Sequence, residues 1–197
     1  MFNTIHTQLP KLHLICSTDD LRPAMQYVKI ENGKAIATNA HSLLVTDLTK
    51  YIDDKDFNIP DCYIHKDAWK QLCSPSLLSF DLANGVIELR FKKEEKLIKY
   101  KTPAEFEDKI GRYPNYEAVI PESGLAVAPD FKGFSLSTAN LTDTASMFCD
   151  GHNILFYPTS ARKGIRMEIM KASYQNSWEL VGYGVIMHTT TFSDFNQ

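Results

Sequence analysis

Two Asn-Gly pairs constrain this chain more than any other feature. Asn32-Gly33 and Asn84-Gly85 each sit between short runs of extended character. Asn and Gly tolerate the positive φ that a tight primed turn demands, so both pairs predict β-hairpins. The first joins Met25–Ile30 to Ala35–Thr38. The second joins Leu78–Leu82, which alternates apolar and polar residues, to Val86–Phe91. Lys92-Lys93-Glu94-Glu95 reverses the chain again before Leu97–Tyr100. Helical stretches are few: Lys66–Leu72, ending before Ser74-Pro75 because a residue preceding proline resists helix, Leu9–Cys16, and Leu136–Phe148. Strands outnumber helices, which predicts an α+β protein with antiparallel sheets.

The texture changes at 103–121. Thr102–Asp108 is polar and Gly111–Tyr116 is turn-rich, so this stretch reads as a connector between 1–121 and 122–197. The second part repeats the order strand, helix, strands, with strands expected at Leu125–Phe131, Asn153–Tyr157, Ile165–Lys171 and Ser177–Thr190. The first part shows that order twice. The repeat is one of pattern, not of residues.

Composition excludes some classes. The 197 residues carry 21 Lys+Arg against 24 Asp+Glu, a net charge of −3, with 44% hydrophobic residues. That is neither a disordered acidic tail nor a histone-like basic protein. Nucleic acid stays open, because binding depends on where positive charge sits. Cys16, Cys62, Cys73 and Cys149 form no CxxC and are expected to be reduced, mostly buried thiols, though sequence leaves a disulfide open. The first residues lack a basic start followed by an apolar stretch, so no secretory signal is expected. No apolar run approaches the ~18 residues of a membrane span, so a cytoplasmic protein without membrane contact is expected.

Three segments, in order, resemble the bacterial DNA sliding clamp, the beta subunit of DNA polymerase III. Asp20-Leu21-Arg22-Pro23-Ala24-Met25-Gln26-Tyr27-Val28 is similar to the family's acidic-x-Arg-Pro-x-Leu-x-x-Val strand. Ala37-Thr38-Asn39-Ala40-His41-Ser42-Leu43 looks like its Ala-Thr-Asp-Gly-His-Arg-Leu. Gly111-Arg112-Tyr113-Pro114-Asn115-Tyr116-Glu117-Ala118-Val119-Ile120-Pro121 is close to its Gly-Arg-Phe-Pro-Asp-Tyr-x-x-Val-x-Pro, the most specific of the three. Residues 1–121 thus look like the middle clamp domain and 122–197 like a shortened last one, the first domain being absent. Near the end, Gly184-Val185-Ile186-Met187 resembles the family's Val-Val-Met-Pro-Met, with His188 in place of proline.

The resemblance implies a clamp fold, repeated strand-helix-strands units with antiparallel sheets, and a non-enzymatic, sequence-independent processivity factor in replication or repair. Double-stranded DNA would be held by Lys11, Lys66 and Lys70 on the helices of residues 1–121, with Arg22 beside them. From charge alone, these are ordinary solvated residues. The resemblance also implies a groove where polymerases and repair proteins dock a short linear motif, walled by Met25, Thr38, His41, Leu43, Pro114, Val119, Val185 and Met187. Such mainly apolar walls suit a leucine or phenylalanine anchor. Asn39, Ala40 and Ser42 replace the family's Asp, Gly and Arg; losing the arginine removes a long polar rim group and alters specificity. A homo-oligomeric ring is one arrangement. The other is an interaction module that never closes a ring or binds DNA.

Other chemistry finds weaker support. Asp54-Lys55-Asp56-Phe57-Asn58 has calcium-loop spacing, but Ile59 stands where glycine is needed and His65 where glutamate is. Asp150-Gly151-His152 lacks a second ligand pair. No nucleophile signature surrounds Cys16, Cys73 or Cys149, no phosphate loop is present, and no cofactor or metal is expected. Arg90, Lys92, Lys93, Lys96, Lys99 and Lys101 interleave with Glu88, Glu94 and Glu95, the pattern of a solvated sheet edge.

Overall fold

The computed structural model describes residues 3–4, 8–52, 59–120, 134–135, 146, 152–158, 165–172, 177–186 and 190–191. After β1 (Asn3–Thr4) come one-turn 3₁₀ helices at Leu12–Leu14 and Pro23–Gln26, then β2 (Tyr27–Glu31), β3 (Lys34–Thr38) and β4 (Ser42–Asp47). A further 3₁₀ turn, Leu48–Lys50, precedes β5 (Cys62–His65), α1 (Lys66–Leu72), β6 (Leu77–Ala83), β7 (Val86–Phe91) and β8 (Glu95–Lys99). Then follow α2 (Pro103–Lys109), a 3₁₀ turn at Glu117–Val119, β9 (Phe134–Ser135), β10 (His152–Pro158), β11 (Ile165–Ala172), β12 (Trp178–Ile186) and β13 (Thr190–Thr191). The protein is α+β with antiparallel sheets.

Both hairpins form where the Asn-Gly pairs place them. Asn32 and Gly33 have φ of 51° and 73°, Asn84 and Gly85 of 52° and 80°, the left-handed pair of a primed turn. Met25 and Gln26, expected as strand, belong instead to the 3₁₀ turn begun by Pro23. The expected Leu9–Cys16 helix shrinks to one turn. The Pro10 carbonyl, which would serve that helix, accepts instead from Trp69 Nε1 at 2.9 Å and the Cys73 thiol at 3.2 Å, and so anchors α1. The connector at 103–121 contains a helix that was not expected. Thr102 and Glu105 cap α2 reciprocally, with Pro103 in its first turn. Phe106 buries that helix against Tyr63, the rings stacked 3.7 Å apart. The expected strand Leu125–Phe131 lies outside the described residues, as does the helix Leu136–Phe148 except Ser146, which is helical.

The strands form a four-stranded sheet in the order β1-β6-β7-β8, a seven-stranded sheet in the order β10-β11-β12-β4-β3-β2-β5, and a β9-β13 pair. The seven-stranded sheet therefore draws on residues from both sides of 121. Its seam is the β4–β12 pair, with Leu43 opposite Val185 and Leu44 opposite Gly184. Gly182 and Gly184 make this approach possible. A Cβ on Gly184 would collide with the Leu43 carbonyl oxygen, and one on Gly182 would lie 2.9 Å from the Val45 oxygen. Thr46 adds a buried hydrogen bond from Oγ1 to the Val181 carbonyl at 2.8 Å. One apolar core lies under the seam, joining Leu44, Ile64, Trp69, Met167, Ile169 and Ile186. Gly184→Ala is expected to lower unfolding free energy by about 1–3 kcal/mol, the usual cost of overpacking, measured by urea denaturation.

Candidate docking groove and basic face

The outer face of the seam carries a second apolar cluster. Ile36, Leu43 and Val45 are buried there beneath Tyr113, Tyr116, Ile120 and Tyr183. Where the 111–120 segment crosses this face it leaves a cavity of about 230 Å³. Met25 comes from the 3₁₀ turn before β2, and Thr38 and Leu43 from β3 and β4. His41 lies in the turn between those strands, Pro114 and Val119 on the crossing segment, and Val185 on β12. Seven residues of the expected groove thus surround one space; the eighth, Met187, lies outside the described residues. Ala40, Ser42, Asn115 and Tyr116 line it as well. The sequence marks Ala40 and Ser42 only as departures from the motif. Asn115 and Tyr116 stood inside the third motif, yet nothing in their spacing marked them as facing the cavity.

The rim at 39–42 is held by its own side chains. Asn39 Oδ1 accepts from the backbone N–H of His41 at 2.9 Å and of Ser42 at 2.8 Å. Thr38 Oγ1 donates to the Ser42 carbonyl at 2.9 Å and accepts from the Ala40 N–H at 3.2 Å. His41 is left exposed at the mouth, just before β4. The turn forces Ala40 to φ 74°, where an alanine Cβ is strained and glycine is not.

The opposite wall is tied down by two tyrosines. Among the described residues, the hydrogen bonds from 112–120 to the sheet come from their hydroxyls. Tyr113 donates to the carbonyls of Tyr27 at 3.3 Å and Ile36 at 3.2 Å, and burial pushes its phenol well above the ordinary range. Tyr116 donates to Glu31 Oε2 at 2.9 Å, and Lys29 Nζ meets Glu31 Oε1 at 2.7 Å. Partial burial alone would raise the Glu31 carboxyl, but hydrogen bonds from Lys29 and Tyr116 and the ammonium charge bring it below its ordinary value of 4.5.

The cationic residues are placed less uniformly. Lys11 and Lys70 act on the same imidazole: burial first, then their two charges, lowers the pKa of His13, whose Nδ1 is buried without a partner. Lys66 Nζ donates to the Ser17 carbonyl at 2.9 Å, and Arg22 pairs with Asp19 at 3.6 Å. On the β7–β8 hairpin, Arg90 pairs with Glu88 and Glu95, and Lys96 with Glu94. Burial raises the thiols of Cys16 and Cys62 to about 12, which leaves neither a nucleophile near neutral pH. The Asp54–Asn58 loop, Cys149 and Asp150 lie outside the described residues. Among the described residues no cluster of three metal-ligating side chains occurs, and no helix is long and apolar enough to cross a membrane.

No family model and no curated protein matches the chain. It resembles bacterial sliding clamps. The Caulobacter crescentus (C. crescentus) beta sliding clamp is 14% identical with a TM-score of 0.45, the alignment covering 96% of this chain and 52% of the clamp. The Bartonella birtlesii clamp, DNA polymerase III subunit beta bound to griselimycin, gives 14%, 0.44 and the same coverage. The PCNA of A. fulgidus, solved with the C-terminal region of FEN-1, gives 14%, 0.39 and coverage of 98% and 76%. The chain spans about half the length of the bacterial clamps it matches.

Two outcomes follow from the geometry. Ala40→Gly relieves the strained φ and raises stability by up to about 1 kcal/mol in urea denaturation. A depressed carboxylate stabilises the fold above its unfolded pKa and loses that contribution as pH falls through the folded value. The stability gap between wild type and Glu31→Gln should therefore be full at neutral pH and shrink below pH 4.5.

Proposed function

We propose that this chain is a sliding-clamp-like docking platform: a non-enzymatic, DNA-associated processivity factor that holds partner proteins through a short linear motif. The observation that carries this reading is the cavity at the β4–β12 seam. Residues from three separate sequence motifs, together with Val185, surround one mainly apolar space of about 230 Å³. An extended peptide with a leucine or phenylalanine anchor fits such a space, with His41 and Asn115 offering polar contacts at its edge. Polymerases and repair proteins are the partner class; both walls come from residues before 121, and Val185 is the lining residue contributed from beyond it. The cytoplasm is the compartment.

Duplex DNA is the second partner. Lys11 and Lys70 have no carboxylate within ion-pair distance among the described residues and share one neighbourhood at α1, so they are the grip we favour. Lys66 and Arg22 are partly committed to Ser17 and Asp19. That commitment favours a second reading, in which the chain docks motifs without closing a ring or holding DNA. Light scattering with size exclusion distinguishes a defined multimer from a monomer.

The test is fluorescence anisotropy with a short labelled peptide carrying adjacent leucine and phenylalanine. Wild type should bind it, and Val185→Glu should lose at least about tenfold in affinity by placing an unpaired charge in the apolar wall. Equal binding, or none in either protein, removes the docking reading. In parallel, Lys11→Glu with Lys70→Glu should weaken binding to duplexes of two unrelated sequences alike. It should also reduce the slope of log affinity against log salt by about two, as two lost phosphate contacts require.

A further inference from the structure

The wall residue Tyr116 does not hold itself in place. Tyr116 lines the cavity, and its hydroxyl reaches Glu31 at the end of β2. There Glu31 accepts from it with one oxygen and takes Lys29 on the other, at 2.9 and 2.7 Å. Lys29 closes the triangle, its Nζ 5.4 Å from the centre of the Tyr116 ring. Neither Glu31 nor Lys29 lines the cavity. The segment 112–120 has only its tyrosine hydroxyls as hydrogen bonds to the sheet among the described residues. Tyr113 is half-buried and spends its hydroxyl on the carbonyls of Tyr27 and Ile36, so the Tyr116 bond holds the part that forms the wall.

We infer that Glu31, braced by Lys29, is a positioning residue for the docking groove, fixing the Tyr116 wall from outside the site. The inference rests on the docking reading above. Physically, a charge-assisted hydrogen bond fixes an aromatic side chain whose ring must already be in place when the ligand arrives; an unlatched ring would have to be ordered during binding, at a cost to affinity. Charge at the far end of the β2–β3 hairpin thereby sets the width of an apolar site it never touches.

The experiment uses the full chain and the same labelled peptide with wild type, Tyr116→Phe, Glu31→Ala, the double variant and Glu31→Gln. Each of the first two changes should weaken binding about fivefold, the worth of one net hydrogen bond. The double variant should be no weaker than either single one, because both remove the same bond. Glu31→Gln keeps an acceptor for the hydroxyl and should recover part of the loss. Without peptide, the Tyr116 ring signals in nuclear magnetic resonance should move toward a solvent-exposed tyrosine in Glu31→Ala and return in Glu31→Gln. Singles that bind like wild type, or losses that multiply in the double variant, overturn the inference. Unchanged ring signals in Glu31→Ala overturn it whatever the peptide does. A wild type that fails to bind the peptide, with the ring signals shifting as expected, overturns the docking reading and leaves Glu31 positioning a wall of some other site.

Discussion

The closeness of β4 and β12 governs the arrangement. Two glycines let a strand from beyond residue 121 pair with one from before it, at a distance no side chain would permit at Gly184. That pairing makes a single sheet of seven strands from both parts of the chain and closes the core beneath it. It also sets Val185 beside Leu43 on the outer face, where the 111–120 segment crosses. The cavity is thus a consequence of backbone approach first and side-chain chemistry second.

The walls of that cavity are stiffened in different ways. On one side, Asn39 and Thr38 satisfy the backbone of a tight turn and leave His41 at the mouth. Ala40 bears strain there, a feature that concentrates at functional sites. On the other side, tyrosine hydroxyls replace backbone pairing, one donating to sheet carbonyls and one tied to a charged pair. A preformed wall lowers the ordering cost of taking up a flexible peptide.

Much of this was legible in the sequence, for identifiable reasons. The Asn-Gly hairpins and α1 follow from local rules, and the chain obeys them. Elsewhere tertiary contacts override the local rules, or a local signal is masked by its neighbours. Pro10 lost its helix because Trp69 and Cys73 took its carbonyl, a contact more than fifty residues away in sequence. The Thr102–Glu105 capping box was present in the sequence but was hidden by the polar look of its neighbours. In the site, the wall residues lay within motifs, whereas Glu31 and Lys29 carry no motif at all. Their role depends on a register that only the folded hairpin reveals.

Docking of a partner at the seam cavity is the proposal on which the functional reading stands. It is tested most directly by mapping backbone amide shifts of the full, isotope-labelled chain while the leucine-phenylalanine peptide is titrated in. Saturable shifts are expected at His41, Leu43, Tyr116, Val119 and Val185 together, from both walls at one affinity. Shifts confined to α1 or the β7–β8 hairpin, with the cavity residues unmoved, would contradict it.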